Sequence, residues 1–166
     1  MGSRAIAVCP QQDRLDCYYS QWGGSVLLTL VSTPAATAQF ELLEQVEWAW
    51  HRLCSIEQFL DTLDYLSIEA VYWLSITGVQ AYLPLWFGRN RVETATESTR
   101  GALVRVESPA AVRRLRECFR CLKRVLHRGE QKSIISTSAA DKLLLLSICS
   151  REHHLGTQLR SVAENL

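Results

Sequence analysis

Every familiar fingerprint of a reaction is missing from this chain of 166 residues. It has no G-x-S-x-G nucleophile turn, no H-E-x-x-H zinc pair, no Walker loop and no G-x-G-x-x-G. The common hydrolase, metalloprotease and nucleotide-binding signatures are thereby excluded. A membrane-spanning run is missing too. The stretch from Cys17 to Phe40 carries no charge, yet Gly23, Gly24, Ser32, Thr33 and Pro34 interrupt it, where a span needs about 20 mostly apolar residues. Within it Ala36-Thr37-Ala38 mimics a signal-peptidase site, but the apolar heart, Val26 to Val31, is short and Asp13 and Asp16 spoil a positive flank. No membrane partner and no export are expected, which places the chain in the cytoplasm. Internal repeats and low-complexity tracts are also lacking.

What is present describes an ordinary globular chain, with 48% apolar and 21% charged residues. The length suits a single domain over 1–166, with 156–166 as a frayed polar end. Six cysteines make an even number, but a core of this size needs no disulfide framework, and reduced thiols are expected. The net charge of +1 conceals segregation. Residues 1–88 hold three basic and nine acidic side chains, whereas residues 89–132 hold twelve basic and five acidic ones. Such asymmetry implies either an anionic partner or attraction between the two halves of the fold.

Arg4 to Val8 and Leu15 to Trp22 read as strands around Pro10-Gln11-Gln12-Asp13. Leu43, Val46, Trp50 and Leu53 recur at helical spacing and predict a helix from about Ala36 to Cys54. Ser55 and Gln58 form a capping box for a short helix that turns Ile56, Phe59, Leu60 and Leu63 inward. Ile68 to Ile76 and Val79 to Phe87 flank the turn Thr77-Gly78, and Pro84 requires an edge or a bulge in its strand. Arg89 to Arg100 reads as a loop and Ala102 to Val106 as a fifth strand. Ser108-Pro109 starts a helix striped by Val112, Leu115, Phe119, Leu122 and Leu126 and closed by Gly129. Ser138 with Asp141 starts a last helix, whose Leu143 to Leu146 run predicts burial on several sides. The order predicts an α+β fold, a mainly antiparallel sheet of about five strands with helices packed on one face.

Two blocks of uncharged, turn-forming and aromatic residues stand out. Met1-Gly2-Ser3-Arg4 leads into Tyr18-Tyr19-Ser20-Gln21-Trp22-Gly23-Gly24, and Leu63-Asp64-Tyr65-Leu66 leads through Tyr72-Trp73 to Leu85-Trp86-Phe87-Gly88. In these blocks the chain resembles a family of small archaeal proteins of unknown function, best represented in haloarchaea. The resemblance implies an archaeal or archaeal-virus origin and carries over no activity, cofactor or site residue. The near-neutral balance departs from the acidic surfaces expected of haloarchaeal relatives.

Five constellations bear on chemistry. Cys118 and Cys121 form a C-x-x-C that would need His127, or His153 and His154, to complete a zinc site. Because the pair lies inside a helix, buried thiols are the expected reading, with no metal and no cofactor. Cys9 and Cys17 face each other if the first hairpin loop is short. His51 and Cys54, a helical turn apart, would form a nucleophile–base pair lacking an orienting group. A sheet cluster of Tyr18, Tyr19, Ser20, Trp22, Glu69, Tyr72, Tyr82 and Trp86 supplies the catalytic candidates Glu69, Tyr72 and Ser20 for a small hydrolase-like enzyme; the competing reading is an aromatic core with Glu69 at its edge or paired with Arg4. The basic helix is the leading feature. Arg113, Arg114, Arg116, Arg120, Lys123, Arg124 and Arg128 cover the face opposite its apolar stripe, with Arg89, Arg91, Arg100 and Arg105 as further cations. Such a face suits nucleic acid or another polyanion, bound without base readout. It equally suits an acidic protein or the chain's own Glu41, Glu44 and Glu47. The function expected is therefore a non-catalytic binding or interaction module, with the small hydrolase as the alternative.

Overall fold

The computed structural model describes residues 3–33, 37, 42, 44, 46–88 and 100–149. The expected loop at 89–99, the histidines 153 and 154, Arg89, Arg91, Glu41 and the polar end 156–166 lie outside the described residues. The chain is an α+β protein built on a six-stranded mixed sheet. In chain order come β1 (Arg4–Pro10), β2 (Leu15–Ser20), a 3-10 turn (Gly23–Val26), α1 (Leu27–Leu30), β3 (Trp50–Cys54), α2 (Ile56–Thr62), β4 (Ile68–Ser75), β5 (Gly78–Trp86), β6 (Gly101–Val106), α3 (Pro109–Gln131) and α4 (Thr137–Cys149). The strands lie in the order β3-β2-β1-β4-β5-β6. Every pairing is antiparallel except β1 with β4, which is parallel and sits at the centre of the sheet.

Each face carries a core. Ala5, Ala7, Tyr72, Leu74, Leu83 and Leu85 meet Leu27, Leu30, Val112, Phe119, Leu126 and Leu144 on the face of the long helices. On the other face Ile6, Val8, Leu15, Val71 and Trp73 meet Phe59 and Leu63 from α2 and its end. Local chemistry explains the helix starts. Ser55 accepts from the Gln58 amide while Gln58 reaches back to the Ser55 amide, the expected capping box. Ser108 accepts from the Ala111 amide, with Pro109 in the first turn of α3.

Five local expectations are corrected. The helix expected to reach Cys54 gives way before Trp50, and Trp50–Cys54 is an edge strand on β2. Thr37, Leu42 and Glu44 are helical, but Val46 to Ala49 are not. The spacing of Val46, Trp50 and Leu53 imitated a helix because Leu53, half exposed, belongs to no apolar stripe. Pro84 lies in an interior strand, not at an edge, and the sheet accommodates it by parting, as described below. The helix α3 runs past Gly129 to Gln131 and ends on Ser133 at φ 55°, with the Ile134 amide bonding the Gly129 carbonyl and the Ser133 amide the Glu130 carbonyl. Ser136 rather than Ser138 caps α4, accepting from the Ala139 amide. Only Leu144 of the Leu143 to Leu146 run is buried; Leu143, Leu145 and Leu146 are 45%, 47% and 60% exposed.

Candidate functional site

The central feature begins as an irregularity between β1 and β4. Arg4 pairs with Ile68 but Ala5 pairs with Ala70, so Glu69 is an extra residue, a bulge in a parallel pair. Bulges of this kind re-aim a side chain and increase local twist. The consequence shows in the cores: Ile68 joins the α2 side, Ala70 the long-helix side and Val71 the α2 side again. The β4–β5 ladder ends at Val71 opposite Tyr82. Beyond it, residues 68–70 of β4 pair with β1, and residues 83–86 of β5 pair with β6. Pro84 stands in this parted stretch, where a missing N–H leaves no ladder bond to β4 unmade.

A groove of about 550 Å³ opens where the strands part. One lip is Tyr65 to Glu69, the other Leu83 to Trp86, and the wall is α3 with Arg116, Phe119, Arg120, Lys123, Arg124 and His127. Residues of both cores reach it, Tyr65 and Ile68 from one and Leu83, Leu85 and Phe119 from the other. The block Leu63-Asp64-Tyr65-Leu66 builds the first lip. Asp64 accepts from the amides of Leu66 and Ser67, each at 3.1 Å, turning the chain so that Tyr65 lies buried. Gly101 on β6 leaves room for that ring, since a Cβ there would come within 2.4 Å of it. Burial, and secondarily Asp61, pushes the Tyr65 phenol up to about 12, so it remains a neutral wall.

The charge in the groove is cationic. Arg116, Arg120 and Arg124 follow at intervals of four residues, about 6 Å apart along the helix axis, and His127 continues the row. Among the described residues no carboxylate forms an ion pair with Arg116, Arg120 or Arg124. Other cations are neutralised: Arg100 pairs with Asp141, and Arg105 with Glu107 at 3.0 Å. Lys123 donates to the Trp86 carbonyl at 3.0 Å and lies 4.3 Å from the Trp86 ring centroid, fixing the corner between helix and sheet. Among the described residues Glu69 is the single carboxylate on the groove lining, exposed at its mouth, where it accepts from Ser3 Oγ at 2.9 Å.

Of the expected polyanion residues, Arg116, Arg120, Lys123 and Arg124 line the groove and Arg113 does not. The candidates Glu69, Tyr72 and Ser20 are each held in bonds to neighbouring groups, Glu69 to Ser3 and the other two to the turn after β2. Tyr72 is fully buried on the long-helix face and donates to the Gly23 carbonyl at 2.7 Å. Ser20 accepts from the Gly23 amide at 3.0 Å and from the Trp22 amide at 3.3 Å, holding the turn after β2. Ser20 from within and Tyr72 from β4 thus both hold the turn Tyr19-Ser20-Gln21-Trp22-Gly23-Gly24, and neither lines the groove. The aromatic cluster is split, with Tyr72 on one face and Tyr82 on the other, and Trp22 is 62% exposed. His51 and Cys54 lie three places apart on a strand and so face opposite ways; His51 bonds Asp16 at 3.0 Å instead. Cys9 pairs with Asp16 rather than Cys17. Cys118 and Cys121 are exposed thiols, not buried ones, and no group of three or more metal-ligating residues occurs among the described residues.

Sequence reasoning missed His127 as a groove residue, although its spacing from Arg120 and Arg124 was a usable signal. It could not foresee the lips, because the parting of β4 and β5 depends on a register shift. Among the described residues, no helix is long and apolar enough to cross a membrane. Comparison with family models, curated proteins and solved structures finds no match to this chain.

Proposed function

We propose that the chain is a non-catalytic binding module whose groove takes a polyanion, with single-stranded nucleic acid as the ligand class. The observation that carries this reading is the row Arg116, Arg120 and Arg124 along a groove walled by Tyr65, Trp86 and Phe119. A positive track beside apolar and aromatic walls is how sequence-tolerant single-strand binders hold a backbone while sheltering bases. Three guanidinium groups over about 12 Å suit successive phosphates, and their forked donors suit phosphate oxygens. The groove is small for a duplex and falls in the ordinary range of ligand sites. A cytoplasmic archaeal setting belongs to the same reading; it is supported by the two sequence blocks and by the free thiols of Cys9, Cys17, Cys54, Cys118 and Cys121.

The test is an anisotropy titration of a labelled single-stranded oligonucleotide at low and moderate salt, with the parent and the double variant Arg120→Glu, Arg124→Glu. The parent should bind with a log–log salt slope of about −2, as expected for three phosphates on a single strand. The variant should melt as the parent does and bind at least about tenfold more weakly. Equal binding by the two proteins, or none by either, would remove nucleic acid as the ligand.

A further inference from the structure

The opposite face of the sheet holds a pair of buried thiols that the groove does not use. Cys17 on β2 and Cys54 on β3 both belong to the α2-side core, with their sulfurs 3.6 Å apart. Register explains the approach. Leu15 pairs with Cys54 and Cys17 with Arg52, so the two cysteines are diagonal neighbours on one face of an antiparallel pair. A second cavity, about 210 Å³, is lined by both thiols and by Arg4, Arg52, Tyr19 and Asp64.

We propose that Cys17 and Cys54 are a reversible redox site, closing to an intramolecular disulfide when a low-molecular-weight disulfide enters this cavity. Three features converge on it. The sulfurs need to close from 3.6 Å to the bonded distance of about 2.05 Å. The strand that must move, β3, is an edge strand held by β2 on one side only. The cavity borders both buried sulfurs, and Arg4 and Arg52 on its wall offer cations to a carboxylate-bearing disulfide, such as oxidised glutathione, that presents one end to it.

The exchange balances in two displacements. The thiolate of one cysteine attacks oxidised glutathione, forming a mixed disulfide and expelling one glutathione thiolate. The thiolate of the second cysteine then attacks the protein-side sulfur of that bond, forming the Cys17–Cys54 bond and expelling the second glutathione. The protein dithiol is oxidised, glutathione disulfide is reduced, and the two thiol protons pass through solvent to the departing thiolates. Burial first, and then neighbouring Cys54, pushes the Cys17 thiol up, so exchange accelerates with rising pH.

The bond would close a loop across 37 positions of sequence and tie the edge strand down. Stabilisation of the oxidised form should raise its melting temperature by several degrees. The experiment equilibrates the folded protein in buffers of increasing oxidised-to-reduced glutathione ratio, quenches by alkylation and maps the peptides by mass spectrometry. A Cys17–Cys54 linked peptide that grows with the ratio, disappears with dithiothreitol and accompanies a higher melting temperature is the expected result. Cys17→Ser should instead hold a glutathione adduct at Cys54. Alkylation of both thiols at every ratio, while exposed Cys118 and Cys121 become glutathionylated, would overturn the proposal. So would a link that forms only after denaturation. Mapping of the unmutated protein decides the matter even where the serine variant does not fold.

Discussion

Tyr72 spends its hydroxyl on the Gly23 carbonyl, and in doing so it ties a central strand to the turn that follows β2. Removing that hydroxyl in Tyr72→Phe leaves a buried carbonyl short of a partner, which should cost about 1–3 kcal/mol in urea denaturation. The same residue belongs to a set that governs alkaline stability. Burial pushes the phenols of Tyr65 and Tyr82 up to about 12, and burial with Glu69 raises Tyr72 further. Because the unfolded chain ionises its tyrosines near pH 10, stability from these protonated groups is complete below about pH 10 and is lost as pH rises toward 12. Thermal melts across that interval should fall, and Tyr72→Phe should fall less steeply. At this scale the sequence was a fair guide to which residues matter and a poor guide to why. Ser20, Tyr72 and Asp64 were visible as unusual, but a serine or tyrosine reads the same whether its oxygen meets a substrate or a backbone amide.

Among the elements, α4 separates apparent from actual burial. Its run of four leucines looks uniformly apolar, yet Leu144 alone is shielded, while Leu146 is 60% exposed. Leu144→Ala should cost about 2–5 kcal/mol and Leu146→Ala no more than about 0.5 kcal/mol, compared by chemical denaturation. Equal losses would mean that the run is buried as a block. The start of α3, the capping box of α2 and both hairpins were legible, since caps and turns depend on neighbours within a few residues. The edge strand β3 was not. Its five residues, Trp-His-Arg-Leu-Cys, have no period of their own, and only pairing with β2 makes them a strand. The cation row on α3 was legible for the same local reason that hairpins were, whereas its second wall was supplied by β5 and by the turn before β4.

For the whole molecule the decisive pairing joins distant parts of the chain. Strand β1 lies between β2 and β4 at the middle of the sheet, and it contributes Ala5 and Ala7 to one core and Ile6 and Val8 to the other. A chain lacking residues 1–10 should therefore lose cooperative folding altogether, seen as the absence of a melting transition by circular dichroism. Retention of a sharp melt would show that β4, β5, β6 and α3 fold without it. This central parallel pair was the part of the architecture that the order of hairpins could not reveal, because parallel neighbours leave no turn between them.

The extra residue at Glu69 has an evolutionary consequence. In most strands the gain or loss of one residue inverts every side chain beyond it, so lineages rarely survive such a change there. Here the alternation is already broken: Ile68 and Ala70 point to opposite faces with Glu69 between them. A descendant that lost this one codon would bring Ile68 beside Ala70 in regular alternation, keep both interiors, and give up the carboxylate at the mouth of the groove together with the register shift on which the parting of β4 and β5 depends. The position is thus a joint at which ancestry can adjust the groove by length while both cores keep their residues.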